Sequence, residues 1–343
     1  LMMNSLCYLF KKCTLQCYRK VTRCALHVIN SNQAVSSRQP NNRYRYTTIV
    51  NFVVGNNNMT SQKKIYNTLI ISLLQFVLLT SCEAQTDNPP HVEGDSAITI
   101  SKVGDIPTPN GFERFLYDSL HVAHYLQNLS FKEDNTVYLY NGELKYNQRV
   151  QYAVLDIDVG TKDLQQCADA TMRLRAEHLF KTKQFDKIAF HFTSGDLAKW
   201  TAYADGYRAK ITGNSVNWVK THQRDTSHAN FRKYMDLVFS YCGTQSMSKE
   251  VEKVAIANIQ PGDVFHVTGN PYGHAVTVMD VAKDSLGAPI FLLSQSYMPA
   301  QSIHILVNPN DKNLSPWYRL EEGNSLTTPE WVFPPNSLKR WKD

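Results

Sequence analysis

Acidic residues are missing from the first part of the chain. The 343 residues contain 36 Lys and Arg against 30 Asp and Glu, a net charge of +6, yet no Asp or Glu precedes Glu83. Ten of the basic residues also lie before Glu83, which leaves 26 basic against 30 acidic residues in the remainder. The positive charge therefore belongs to the N-terminal stretch, and we expect no nucleic-acid partner.

A hydrophobic run long enough to cross a bilayer is also missing. A spanning helix needs about 20 apolar residues, whereas the apolar run Leu69–Leu79 is short and interrupted by two polar residues. The basic pair Lys63 and Lys64 precedes it and Leu-Thr-Ser-Cys ends it at Cys82, the order typical of a secretory signal peptide. The ending resembles the bacterial lipobox. That resemblance implies a lipoprotein signal peptide over 59–81, a lipid on Cys82 and a membrane anchor in the bacterial cell envelope, facing the periplasm or the outer membrane.

Paired CxxC cysteines are absent as well, which speaks against a zinc module. The four cysteines of residues 1–58 are spaced by six, four and seven positions. We expect 1–58 to be an over-extended start of the reading frame or a disordered extension. Residues 82–110, rich in Pro, Asp, Ser and Thr, are predicted to be a tether. Residues 111–343 are then expected to form a single domain.

The remaining chain predicts an α+β fold. Apolar spacing favours helices over Gly111–Leu129, Leu164–Lys181 and Phe231–Phe239. Alternating and β-branched runs predict strands over Thr136–Tyr140, Val150–Val159, Val264–Val267, His274–Val281, Ile290–Gln295 and Ile303–Val307. Helices come first and a run of antiparallel strands follows.

A cysteine lies at the predicted start of the second helix. Asp163 followed by Gln166 is a capping-box pattern, so Cys167 falls in the first turn. The positive end of the helix dipole favours a thiolate there, as a nucleophile requires. Two alternatives stay open: Cys167 fills a gap in the core, or it pairs with Cys242 in a disulfide.

A histidine begins the second strand of the antiparallel run. Imidazole has a pKa suited to a general base, and the rigid start of a strand can hold His274 near a nucleophile. Gln295 lies on the next strand with Phe291 and Leu293 on its face, where its amide could orient the imidazole.

The order Gly-Asp-Val-Phe, loop, Gly-His-Ala-Val, then a strand with Gln295 resembles the NlpC-type and CHAP branches of the papain-like cysteine peptidases. This resemblance implies a papain-like core that cleaves amide bonds in peptidoglycan-like peptides. Cys167 would be the nucleophile, His274 the base, Gln295 the orienting residue and Gln166 an oxyanion donor. The chain departs from that pattern in two ways. Cys167 and His274 lie 107 positions apart, which requires an insertion over 186–259, and the third residue is Gln.

A second resemblance covers more of the chain. The segments LQQCADATMRLRAEHLF, PGDVFHVTGNPYGHAV and FLLSQSYMPAQSIHIL are similar to an uncharacterised bacterial lipoprotein family, the domain of unknown function 4846, from about Gly111 to Trp341. That family brings no established activity.

Three further residues are predicted to bind substrate. Arg173 and Arg175 follow Cys167 in the same helix and could recognise a carboxylate, or could form a solvated face. Tyr297 could line a groove. We expect no cofactor and no metal, with a zinc site built from His266, His304 and Cys167 as a minor alternative. Two functions remain open: a cysteine amidase of the cell envelope, and a non-catalytic papain-like scaffold that binds glycan, peptide or a protein partner.

Overall fold

The computed structural model describes residues 100–269 and 272–342, which all fall within the unit Val92–Asp343. The predictions for 1–58, for the signal peptide 59–81, for the lipid on Cys82 and for most of the tether lie outside the described residues. Within the described ranges, no helix is long and apolar enough to cross a membrane.

Short helices and strands alternate along the chain. The helices are α1 (Val122–Gln127), α2 (Cys167–Lys181), α3 (Trp200–Ala204), α4 (His228–Tyr241) and α5 (Thr244–Met247), with 3-10 turns at Val103–Asp105, Phe185–Lys187 and Ile256–Asn258. The strands are β1 (Phe112–Arg114), β2 (Gln151–Val154), β3 (Ala189–His191), β4 (Leu197–Lys199), β5 (Tyr207–Thr212), β6 (Ser215–Lys220), β7 (Val251–Lys253), β8 (Val264–Val267), β9 (His274–Asp284), β10 (Pro289–Gln295), β11 (His304–Leu306), β12 (Leu326–Thr327), β13 (Val332–Phe333) and β14 (Leu338–Trp341).

One antiparallel sheet dominates the fold, in the order β2-β11-β10-β9-β8-β14-β7. The long strand β9 has two partners along one edge. β8 pairs with its first half, where Val267 lies opposite His274, and β1 pairs with its second half, where Phe112 lies opposite Asp284. Helices packed on an antiparallel sheet confirm the predicted α+β class.

The two faces of the sheet belong to different parts of the core, because side chains alternate along each strand. On one face, Met279 and Leu292 pack against Ala170 and Leu174 of α2. On the other face, Val278 and Leu293 of the same strands pack with Phe333 and other residues of the C-terminal segment. The sheet is therefore covered by α2 on one side and by residues 318–338 on the other.

Helix α2 begins later than predicted. Its N-cap is Gln166, whose backbone N–H donates to Asp169 Oδ2 at 3.0 Å. The prediction that Asp163 caps this helix was wrong, because its Oδ1 accepts the N–H of Ala300 at 2.7 Å. Cys167 is therefore the first helical residue of α2.

Other predicted elements were shortened or changed by tertiary pairing. The helix predicted over Gly111–Leu129 is wrong at its start: Phe112–Arg114 is strand β1, and only Val122–Gln127 is helical. Residues 136–140 form only isolated bridges, and the strand predicted from Val150 is reduced to Gln151–Val154. By contrast, the helix predicted over Phe231–Phe239 lies within α4.

The insertion between α2 and β8 folds into two hairpins and helices α3 to α5. β3 pairs with β4 and β5 pairs with β6, each in its own two-stranded sheet. α4 packs its Phe231 and Tyr234 against Trp200 of α3. This layer lies beside α2 in a shared core that includes Ala168 and Met172.

Candidate functional site

Cys167 lies at the first position of α2 with only 7% of its surface exposed. Burial, followed by the nearby Asp169 carboxyl, raises the pKa of its thiol to about 11, although the backbone N–H groups of Ala168 and Ala275 act in the opposite direction. The expectation that the helix dipole lowers this pKa is not met, because desolvation outweighs the dipole. Cys167 and Cys242 are both free thiols.

The carboxyl group beside the thiol is itself buried. Asp169 is 6% exposed, and burial raises its pKa well above the ordinary carboxyl value. Its Oδ2 accepts the N–H of Gln166, whereas its Oδ1 has no hydrogen-bond partner. A carboxyl group whose charged form is disfavoured by burial therefore lies two residues after Cys167.

His274 and Gln295 meet across β9 and β10. The imidazole Nε2 lies 3.2 Å from Gln295 Oε1. An amide oxygen only accepts hydrogen bonds, so Nε2 carries the proton and Nδ1 keeps its lone pair. Burial lowers the pKa of His274 to about 4 against the opposing effect of the Gln295 bond, with a further lowering from Lys145. The imidazole is therefore neutral, and its tautomer is set by Gln295.

Two residues that the sequence did not indicate fix the orientation of Gln295. Its Nε2 donates to Glu330 Oε2 at 2.6 Å, and the other oxygen of Glu330 pairs with Lys145 Nζ at 2.9 Å. Lys145 is 7% exposed and Glu330 is 16% exposed. A chain of polar contacts thus runs from Lys145 through Glu330 and Gln295 to His274.

Aromatic rings enclose the imidazole of His274. Its centroid lies 4.9 Å from that of Trp331, 5.1 Å from Tyr297 and 5.6 Å from Phe333. Burial raises the pKa of Tyr297, with smaller contributions from Glu330 and Cys167, so this phenol lies near both halves of the predicted pair. Lys145 lies over the Tyr297 ring at 5.3 Å.

The thiol of Cys167 and the imidazole of His274, which lie 107 positions apart in sequence, contact different neighbours. Among the hydrogen bonds of the described residues, none joins Cys167 Sγ to the His274 ring. The thiol approaches the N–H of Ala275, the residue after His274. Ala275 packs in the core that contains α2, whereas the His274 ring packs on Trp331 and Phe333 from the C-terminal segment. The thiol therefore lies at the backbone of the residue that follows His274.

Two other predicted site residues, Gln166 and Arg175, each have hydrogen-bond partners of their own. Gln166, predicted as an oxyanion donor, is half-buried beside Cys167 and its Nε2 donates to Asp163 at 3.1 Å. Arg175, predicted to bind substrate, donates to Lys342 O at 3.0 Å and lies over the Trp341 ring. Their proposed roles stay predictions.

Arg173 is buried inside the domain. Its Nε pairs with Glu177 at 2.7 Å, its Nη1 donates to Gln165 Oε1 at 3.0 Å, and its Nη2 reaches Asp158 at 3.4 Å. The guanidinium thus holds the residue two positions before Cys167 against the body of α2. In this structure Arg173 braces the helix start, and its predicted role in substrate binding stays a prediction.

The two histidines considered as zinc ligands, His266 and His304, contact different backbone carbonyl groups. His266 Nε2 contacts Thr244 O at 2.9 Å, and His304 Nδ1 contacts Ser302 O at 2.8 Å. In the described part of the chain, no group of three or more His, Cys, Asp or Glu side chains is arranged to hold a metal ion.

The sequence matches a family description over most of the folded part. The family is described as "Domain of unknown function (4846)", and the match covers residues 104–340. The chain belongs to this family. No curated protein and no solved structure gave a match.

Proposed function

We propose that this protein is a cysteine amidase of the bacterial cell envelope, with a papain-like core, that acts on peptidoglycan-like peptides. Cys82 would carry the lipid that anchors it to the membrane. The observation that supports the proposal best is the bond between His274 and Gln295, because it leaves the Nδ1 lone pair of a neutral imidazole available to accept a proton.

The proposed chemistry proceeds through a thioester. His274 Nδ1 takes the proton of the Cys167 thiol while Sγ attacks the scissile carbonyl carbon. The imidazolium then gives that proton to the leaving amine as the carbon–nitrogen bond breaks. Water hydrolyses the thioester with His274 again as base. The N-terminus of α2, with the backbone N–H of Cys167 and the side chain of Gln166, would stabilise the oxyanion.

The resting arrangement has to change for this reaction. Cys167 Sγ lies against the Ala275 N–H instead of the imidazole, and the aromatic rings of Trp331 and Tyr297 cover His274. We propose that a bound peptide displaces this aromatic cover and that rotation of the Cys167 side chain completes the pair. Gln295, held by Glu330, keeps the imidazole in place during that step.

A substrate assay combined with thiol labelling tests the proposal. The full chain is incubated with peptidoglycan-derived peptides, and amide cleavage is followed by mass spectrometry. Cys167→Ser and His274→Ala should each reduce cleavage at least 100-fold. His304→Ala is the matched control, since this imidazole is equally buried but lies on β11.

The rate of thiol labelling at Cys167 is the second measurement. Iodoacetamide modification of Cys167 is followed on its own tryptic peptide, with and without the peptides, from acid to alkaline pH. A thiolate–imidazolium pair gives a rate that stays high well below a thiol pKa of about 8.5, and His274→Ala should abolish that plateau. No cleavage, together with labelling of Cys167 that His274 does not influence, would refute the amidase.

The burial of the Cys167 thiol favours a second candidate function. Cys167 is almost inaccessible and its thiol pKa is raised to about 11, as expected for a structural cysteine. The protein would then be a non-catalytic scaffold that binds glycan, peptide or a protein partner at the envelope. Peptide binding without cleavage, unchanged in Cys167→Ser, would support this function instead.

A further inference from the structure

A groove of about 420 Å³ lies where the start of β2 meets the end of β11. Val150 and Val307 line it, and the N–H of Val307 donates to the carbonyl oxygen of Val150 at 2.9 Å. The other lining residues lie in the segments 147–149 and 308–315 and at Pro329. None of the candidate catalytic residues lines this β2–β11 groove.

The charged side chains in the groove are positive. Arg149 and Lys312 line it, and no acidic residue does so among the described residues. Both side chains are exposed, and neither forms an ion pair with the part of the chain that the structure describes. Asp311 is next to Lys312 in sequence but does not line the groove, and its Oδ1 accepts the backbone N–H groups of Asn313 and Leu314 at 2.9 and 3.2 Å. Even with the charge of Asp311 counted against the two cations, the balance is positive, which favours an anionic ligand.

A buried asparagine fixes the wall that carries Lys312. Asn308 is 6% exposed, and its Nδ2 donates to the carbonyl oxygen of Trp317 at 2.8 Å. Its backbone N–H donates to Ser315 Oγ at 3.0 Å, which ties the two ends of the segment 308–315 together. A wall that is already held in one conformation loses little conformational entropy when a ligand binds.

The groove lies beside the candidate site. Pro329 lines the groove and directly precedes Glu330, whose carboxylate accepts the bond from Gln295. On the sheet, Gln295 lies opposite His304 at the start of β11, and Val307 follows the end of that strand. Three residues of a strand span about 10 Å. A peptide of a few residues is therefore long enough to contact the groove and the candidate site together.

We propose that the β2–β11 groove binds a carboxylate group of the substrate peptide, at its C-terminus or on an acidic side chain. This inference rests on the proposed function, because the same peptide would extend from the groove to Cys167 and His274. Arg149 would donate two parallel hydrogen bonds to the carboxylate, and Lys312 would add a second positive charge. The groove would thereby select acidic peptides and fix which of their amide bonds reaches the candidate site.

Calorimetric titration of the full chain at low ionic strength tests this proposal, because salt screens exposed charges. The probes are three N-acetylated tripeptides: Ala-Glu-Ala amide has a side-chain carboxylate, Ala-Gln-Ala has a C-terminal one, and Ala-Gln-Ala amide has neither. We expect at least one carboxylate peptide to bind about fivefold or more tightly than the neutral peptide. Arg149→Met and Lys312→Met should each weaken that binding about threefold or more. Arg224→Met removes an equal charge from an exposed position outside the groove and should leave the affinity unchanged.

The remaining outcomes decide against the proposal. Equal affinity for all three peptides, or binding of none, would overturn the groove as a carboxylate site. Inorganic phosphate that binds as tightly as the carboxylate peptides would overturn the peptide as its ligand.

Failure of the amidase is recognised separately. In that case the carboxylate peptides still bind and Arg149→Met still weakens their binding, although no amide bond is cleaved. Conversely, cleavage of peptidoglycan-derived peptides with a KM that neither Arg149→Met nor Lys312→Met changes would contradict the groove and leave the amidase intact.

Discussion

The amide of Gln295 donates to Glu330 at 2.6 Å although 35 positions separate the two residues. Because a carboxylate accepts hydrogen bonds and does not donate them, this contact fixes which end of the amide faces His274. The protonation of the imidazole nitrogens is thereby determined by a residue that does not touch the histidine.

We predict that Glu330→Gln destabilises the domain by about 2–4 kcal/mol, because Lys145 would remain buried without its counter-charge. Urea denaturation at pH 7 measures this change. Nitrogen-15 spectra should also show a larger population of the His274 tautomer protonated at Nδ1.

A paired replacement is the control for Glu330. Lys145→Met combined with Glu330→Leu removes both charges and should cost less than the sum of the single changes. Additive losses would mean that the two charges do not stabilise each other.

Arg173→Lys should destabilise the domain by about 2 kcal/mol. An ammonium group cannot reproduce the fork that reaches Gln165, Glu177 and Asp158 together. Arg149→Lys, at an exposed position, should change the free energy of unfolding by less than about 0.5 kcal/mol. Equal effects of the two substitutions in chemical denaturation would contradict the bracing role of Arg173.

Asp169→Asn should become increasingly more stable than the native protein as the pH rises from 5 to 8. Burial in the folded state raises the pKa of this carboxyl. Above the ordinary carboxyl pKa, the folded state therefore binds more protons than the unfolded state. The stability of the native protein consequently falls as the pH rises. Asparagine keeps an acceptor for the Gln166 N–H and cannot ionise. Denaturation at several pH values measures the difference, and Asp186→Asn on the surface should show no such trend.

His304→Gln should reduce the loss of stability on acidification from pH 7 to 5. Burial lowers the pKa of His304 to about 4. The unfolded chain therefore takes up a proton below about pH 6.5 while the folded state does not, and the contribution amounts to about 2 kcal/mol at pH 5. The exposed His222→Gln serves as the control. Identical pH profiles for native protein and His304→Gln would show that His304 does not contribute.

The sequence predicted the antiparallel strands well because β8 to β11 are apolar and bounded by turn residues. It predicted α2 but not its start, since Asp163 matches a capping pattern locally while its carboxylate binds Ala300 across the fold. The hairpins over 189–220 were missed. Strands as short as Ala189–His191 and Leu197–Lys199 carry too few residues for a period to be visible.

The sequence also indicated only part of the candidate site. The strand order was enough to propose Gln295 as a neighbour of His274, and these residues lie 3.2 Å apart. Glu330 and Lys145 come from loops far away in sequence, and no spacing indicates them. Motif order also did not indicate that the Cys167 thiol lies against the Ala275 N–H while the His274 ring packs on Trp331.

The first residues of the folded part are firmly held. Val103 and Ile106 are fully buried, Trp317 donates to Pro107 O, and β1 is paired with β9. Under the proposed lipidation, the 20 residues 83–102 would lie between the lipid on Cys82 and the buried Val103. At about 3.3 Å for each extended residue, that leaves a reach of at most about 70 Å from the membrane surface. Under the same proposal, this length would limit which layer of the cell envelope the domain could reach.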